Sequence, residues 1–165
     1  MPIRHAQTDD LAAIVAIYNA SIPGRLATAD TEPVAVATRQ AWFRDFNPEA
    51  RPLWVIEATP GGGIDGWLGL RSFYGRPAYR ATVEIGVYID PQAQRRGLAK
   101  ALLAHALGAA PGLGIRTMLG FIFAHNGPSL ALFTQAGFEP WGRLPMVAEL
   151  DGVERDLAIV GRRVG

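Results

Sequence analysis

The residues with the most chemistry in them run from Glu84 to Lys100, as Glu84-Ile-Gly-Val-Tyr-Ile-Asp-Pro-Gln-Ala-Gln94-Arg95-Arg96-Gly97-Leu98-Ala99-Lys100. Alternation over Thr82 to Ile89 predicts a strand, Asp90-Pro91 ends it, and a helix is expected over Arg96 to Ala109. A glycine-containing basic turn joins the two. Gly97 and Ala99 let backbone come close to a ligand, and free N–H groups at a helix start, aided by its dipole, suit a pyrophosphate. Arg95, Arg96 and Lys100 add local positive charge. The same residues also suit a solvated face around an ordinary turn, since short glycine motifs match by chance. Glu84 by itself reads as a strand carboxylate paired with Arg76 or Arg80.

Such residues need a sheet to hold them. Strands are expected at Ile3 to Ala6, Leu53 to Ala58, Trp67 to Tyr74, Thr82 to Ile89, Ile115 to Phe123, Trp141 to Leu150 and Val153 to Val160. Helices are expected over Leu11 to Tyr18, from Pro33 to a stop at Asn47-Pro48, over Arg96 to Ala109, and around Pro128. Pro23 to Thr31 is a loop, and Asp151-Gly152 is a two-residue hairpin turn. The order β-α-α-β-β-β-α-β-α-β-β describes an α/β mixed sheet.

Composition sets limits on function. At 165 residues, 49% hydrophobic and 19% charged, the chain suits one domain over 1–165 that buries about 68–70% of its unfolded surface. The absence of cysteine excludes a cysteine nucleophile and Cys-ligated zinc, and three scattered histidines argue against an all-histidine metal site. Sixteen basic and fifteen acidic residues leave a net charge of +1, so no global field draws the protein to nucleic acid or to a membrane. The N-terminus lacks a signal-peptide core, and the long uncharged run from Thr117 to Phe138 is broken by His125, Asn126, Gly127, Pro128 and Gln135. A soluble, cytoplasmic protein is expected.

Two ordered motifs narrow the reading. Gln94-x-x-Gly97-x-Ala99, after a strand ending in Asp90-Pro91, resembles the acyl-CoA pyrophosphate loop of the GNAT superfamily of N-acetyltransferases. Asn126, Ser129, Phe133 and Gly137-Phe138 resemble that superfamily's second signature. Arg76-Pro77-Ala78-Tyr79-Arg80-Ala81-Thr82-Val83-Glu84 is similar to the matching segment of phosphinothricin N-acetyltransferase-like proteins. Ile17-Tyr18-Asn19-Ala20, Thr31-Glu32-Pro33 and Arg39-Gln40-Ala41-Trp42-Phe43 agree with it, so the similarity runs from about Ile3 to about Val160. It implies the GNAT fold: a mixed, mostly antiparallel sheet of about seven strands flanked by about four helices.

The resemblance also implies roles. Acetyl-CoA is the co-substrate and no metal is needed. Val87, Tyr88 and Ile89 lie along the pantetheine, Gln94, Arg95, Arg96, Gly97, Leu98, Ala99 and Lys100 hold the pyrophosphate, and Asn126 and Ser129 complete the cofactor contacts. Glu84 takes the place of the family's general base, and the Val87 N–H donates to the thioester oxygen. A base matters because an acceptor amine of pKa about 9 is only about 1% neutral at pH 7, a cost of about 2.7 kcal/mol. Phe133 stands where many members carry an aromatic hydroxyl as acid, which leaves Tyr88, His125 or solvent for that role.

On the acceptor side, Arg76, Tyr79 and Thr28 are the implied contacts for a small amino-acid-like amine, of the phosphinothricin or methionine sulfoximine type. One departure leaves the acceptor open: Leu150 and Glu154 replace the Lys and Trp that related enzymes tend to carry near the last hairpin. A protein or peptide amine, or a non-catalytic acyl-CoA-binding module, are the alternatives. A homodimer is the family-based expectation.

Overall fold

Leu53-Trp54-Val55-Ile56 is apolar at every position because both faces of this strand are covered. Leu53 and Val55 pack with Ile14, Ile17 and Trp67 on one side, while Trp54 and Ile56 join Leu68, Leu70, Leu102 and Met118 on the other. The sheet is thus the middle of three layers. A computed structural model describes residues 2–57 and 59–165. Its strands are β1 (Ile3–His5), β2 (Leu53–Ile56), β3 (Gly66–Ser72), β4 (Thr82–Ile89), β5 (Thr117–Phe123), β6 (Glu139–Leu150) and β7 (Val153–Arg163). The helices are α1 (Leu11–Ser21), α2 (Gln40–Arg44), α3 (Leu98–Ala109) and α4 (Gly127–Gln135). The expected order of elements holds, as does the mixed, mostly antiparallel sheet of seven strands.

Strand order is β1-β2-β3-β4-β5-β7-β6. Every neighbouring pair is antiparallel except β4 and β5, which α3 connects as a parallel crossover. That parallel pairing is short, running from Thr82 opposite Thr117 to Glu84 opposite Leu119. Beyond it β4 stays registered with β3 as far as Ile89, and β5 stays with β7 as far as Phe123. The sheet therefore forks between β4 and β5. Asp151 and Gly152, both at positive φ (52° and 78°), close the β6–β7 hairpin as their sequence predicts.

Several boundaries differ from expectation, among them β5, which starts at Thr117 rather than Ile115, β6, which starts at Glu139 rather than Trp141, and β7, which runs on to Arg163 rather than Val160. The helix expected from Pro33 is shorter: a single 3-10 turn at Val36–Arg39 leads into α2. Asn19 explains the delay, since its side chain donates to the Val34 carbonyl and accepts from the Val34 N–H, both at 2.9 Å, holding that backbone outside the helix. α3 starts at Leu98 rather than Arg96, because Arg95 and Gly97 take left-handed φ values of 65° and 76°. β2 ends at Ile56, and Ala58, the expected end of that strand, lies outside the described residues.

Candidate active site

Pleating sends alternate residues of β3 and β4 to the α1 side, and register pairs them. Trp67 faces Tyr88, Gly69 faces Gly86, and Arg71 faces Glu84. All six line one cavity of about 310 Å³ beside the fork. The first pair is stacked, with ring centroids 4.7 Å apart and planes at 27°. The second pair has no side chains, with the Phe46 ring lying over Gly69 and room left beside Gly86, and the third places opposite charges together. Val87 also lines the cavity, although its side chain packs against the core on the α3 side with Ile89. Ile122, Asn126, Ser129 and Phe133 form the wall on the far side of the fork.

Burial raises the Glu84 carboxyl above its ordinary value, and the positive charge of Arg71 partly offsets that effect. Arg71 is the guanidinium facing Glu84, in place of the expected Arg76 or Arg80. The Tyr88 phenol is pushed well above its usual value, by burial first and then by the neighbouring Tyr18.

A strap from the α1–α2 connection crosses the cavity. Its three successive carbonyls are each held: Arg25 accepts from His125 Nε2 at 2.8 Å, Leu26 from Asn126 Nδ2 at 3.1 Å, and Ala27 from the Tyr88 hydroxyl at 3.2 Å. Asn126 also caps α4, accepting from the Ser129 N–H at 3.2 Å, so both ends of its buried amide are used. Thr28 shares a 2.6 Å hydrogen bond with the Tyr18 hydroxyl, which also binds Asp30. Asp30 in turn pairs with Arg39 at 3.2 Å, and the Arg39 guanidinium lies 4.8 Å from the Tyr18 ring centre.

The basic turn lies where β4 ends. Asp90 caps a 3-10 turn over Pro91–Ala93 by accepting from the Gln92 N–H at 2.8 Å, and buried Ala93 anchors it. Ala101 N–H makes the first hydrogen bond into the turn, to the Gly97 carbonyl at 3.0 Å. The N–H groups of Leu98, Ala99 and Lys100 precede it and have no helical acceptor. Together with exposed Arg95, Arg96 and Lys100 they fit a phosphate-bearing ligand.

The fold thus gathers Glu84, Val87, Tyr88, Asn126 and Ser129 around one cavity. Gln94 to Lys100 lie at the exposed end of the adjoining strand, and Ile89 packs away from the cavity. Thr28 joins through Tyr18. Arg76 and Tyr79 are exposed on the β3–β4 connection and are not part of the lining; Tyr79 packs edge-on against Phe73, which stacks over the cavity residue Phe121. Arg71, Asp30 and Phe46 belong to no motif in the sequence, and Tyr18, Arg39 and Trp42 enter it within the runs that carry the family resemblance, without a role at the site. Among the described residues no helix is long and apolar enough to cross a membrane, and no cluster of side chains could hold a metal ion.

A forked sheet with a phosphate-suited helix start and a carboxylate at the fork defines an acyl-thioester-handling class of protein. The chain belongs to the GNAT acetyltransferase family, whose profile matches residues 13–138. It is 48% identical to the Bacillus subtilis protein YwnH, assigned provisionally as a phosphinothricin acetyltransferase, over 99% of both chains. It is 30% identical to a Pseudomonas aeruginosa L-methionine sulfoximine/L-methionine sulfone acetyltransferase, over 96% of this chain and 91% of the other. A crystal structure of a phosphinothricin acetyltransferase from Sinorhizobium meliloti in complex with acetyl-CoA superposes with a TM-score of 0.93 at 30% identity, covering 99% of this chain and 88% of that one.

Proposed function

We propose that this N-acetyltransferase moves an acetyl group from acetyl-CoA to the amine of a small amino-acid-like acceptor, of the phosphinothricin or methionine sulfoximine type. The observation that carries the reading is the β4–β5 fork, with a partly desolvated carboxylate at its apex and one cavity alongside. The names of the relatives support the acceptor class.

Acetyl-CoA, when bound, supplies a thioester whose carbonyl carbon takes the amine and whose sulfur leaves as thiolate. Gln94 to Lys100 hold the pyrophosphate through backbone N–H groups and positive charge. Val87, Tyr88 and Ile89 present the strand edge that β5 leaves unpaired, with Asn126 and Ser129 across from it. Glu84 removes the ammonium proton, directly or through a water, and its raised pKa narrows the gap to the amine. The Val87 N–H donates to the thioester oxygen. Thr28, through its hydrogen bond to Tyr18, and the exposed Arg76 and Tyr79 are the acceptor contacts of this reading, with Tyr79 reaching the cavity residue Phe121 by way of Phe73. A thiol of ordinary pKa, about 8.5, leaves unaided, so no acid is assigned.

The test is acetyl-CoA-dependent thiol release over a panel of free amino acids, phosphinothricin, methionine sulfoximine and amine-bearing peptides. Turnover of a small amino acid, lost in Glu84→Gln with cofactor affinity kept, is the expected result. Turnover of peptides alone moves the acceptor to protein, and intact acetyl-CoA binding without turnover points to a binding module.

The proposal extends to a homodimer in the cytoplasm. Trp141, Leu144, Met146, Val147 and Val153 leave apolar surface exposed on the β6–β7 hairpin, which a second copy would cover. Sedimentation equilibrium checks the dimer. The cytoplasm follows from the use of an intracellular donor.

A further inference from the structure

We propose that Arg71 binds the acceptor's carboxylate, and that Arg71 and Glu84 together form a two-charge clamp for the zwitterionic head of a free α-amino acid. The inference rests on the acetyl-transfer reading above and names the acceptor's head group. Arg71 and Glu84 are cross-strand partners, so their side chains leave the sheet on the same face with Cβ atoms about 4.5–5.5 Å apart. Both line the cavity. The next pair on that face is Gly69 and Gly86: the Phe46 ring lies over Gly69, while Gly86, next but one to Glu84 on the same strand, has only the Tyr88 ring within contact and leaves room beside the carboxylate.

Among the described residues the cavity has one other cation, Arg39, and it is already committed to Asp30 and to the faces of Tyr18 and Trp42. Among the described residues no carboxylate lies within ion-pair distance of the Arg71 guanidinium, though its charge reaches Glu84. Arg71 is exposed at the mouth, where a free acceptor arrives. An α-amino acid carries an ammonium and a carboxylate separated by a single carbon, and this pair presents the complementary charges side by side. The planar guanidinium takes a carboxylate through two parallel hydrogen bonds, and the same engagement sets the amine against Glu84. An amine without a carboxylate satisfies only half of the clamp.

Matched substrates test this: each free L-amino acid of the panel beside its α-carboxamide and its decarboxylated amine, with wild type, Arg71→Gln and Arg71→Lys. The readout is the ratio of kcat/KM for the free acid to kcat/KM for its carboxamide. Wild type is expected to favour the free acid, and the ratio to fall about tenfold or more in Arg71→Gln, chiefly through the acceptor KM, with partial recovery in Arg71→Lys. An unchanged ratio in Arg71→Gln overturns the clamp. Equal wild-type turnover of acids, carboxamides and decarboxylated amines also overturns it, while leaving acetyl transfer standing. If nothing in the panel is acetylated, the acetyl-transfer reading falls and the clamp falls with it.

Discussion

Glu84 and Leu119 are the last residues at which β4 and β5 are registered as neighbours. One residue further along, each strand keeps only its antiparallel partner, so the carboxylate sits where the sheet opens. A side chain at that point is held by strands on two sides and still meets the cavity. Its fixed backbone and partial desolvation are consequences of the same geometry.

The Glu84 carboxyl is raised by burial, so it binds its proton more tightly folded than unfolded. Its contribution to stability is therefore present in full below the unfolded value and is lost as pH rises through the folded one. At pH 7 Glu84→Gln is expected to raise the thermal midpoint, and below pH 4 to leave it nearly unchanged. Activity should fall by about 10²-fold or more. In wild type the acid limb of the pH–rate profile should lie above the ordinary glutamate range. A lower midpoint at pH 7, or a limb at or below that range, contradicts this account.

Asn126 uses its amide twice, toward Ser129 and toward the strap at Leu26. Asn126→Ala should cost about 1–2 kcal/mol in urea denaturation. Asn126→Asp keeps the cap but sets a second acceptor against the Leu26 carbonyl, so it should recover only part of that loss. Full recovery would show that the strap bond contributes nothing.

Gly97 and Gly108 both have open space where a Cβ would go, but only Gly97 has a left-handed φ. Gly97→Ala should lose about 1–2 kcal/mol from the backbone alone, and it should weaken acetyl-CoA binding by displacing the N–H groups that follow. Gly108→Ala, within α3, should gain about 0.5–1 kcal/mol. Calorimetric titration with acetyl-CoA alongside melting curves checks both.

Phe133 is 3% exposed, meets Phe138 edge-on at 4.9 Å, and forms part of the cavity wall. Phe133→Ala should cost about 3–5 kcal/mol, and Phe133→Leu much less. Comparable losses in the two variants, measured by denaturant melts, would mean that the ring's volume is not what the site needs.

Much of this architecture is legible along the chain because its causes are local. Thr82 to Ile89 alternates and is a strand over those same residues, and Asp151-Gly152 carries its own turn geometry. The turn from Gln94 to Lys100 announces itself through Asp90-Pro91 before it and an apolar helix after it. The α2 region was less legible, since its start depends on Asn19, fifteen residues away, gripping Val34.

The sequence by itself determined the order of elements and the phosphate-suited helix start, while Glu84 stood out only through the family resemblance. The order and the helix start depend on residue types and on contacts a few positions apart. Only the tertiary structure decided what faces Glu84. Arg76 and Arg80 are nearer in sequence, yet register places Arg71 directly opposite, and a shift of one residue would have turned that side chain to the other face. The fork, the Trp67–Tyr88 stack and the strap held through Arg25, Leu26 and Ala27 likewise exist only once distant segments have paired. Pairing between segments is set by the packing of two apolar faces at once, which no single stretch of chain encodes.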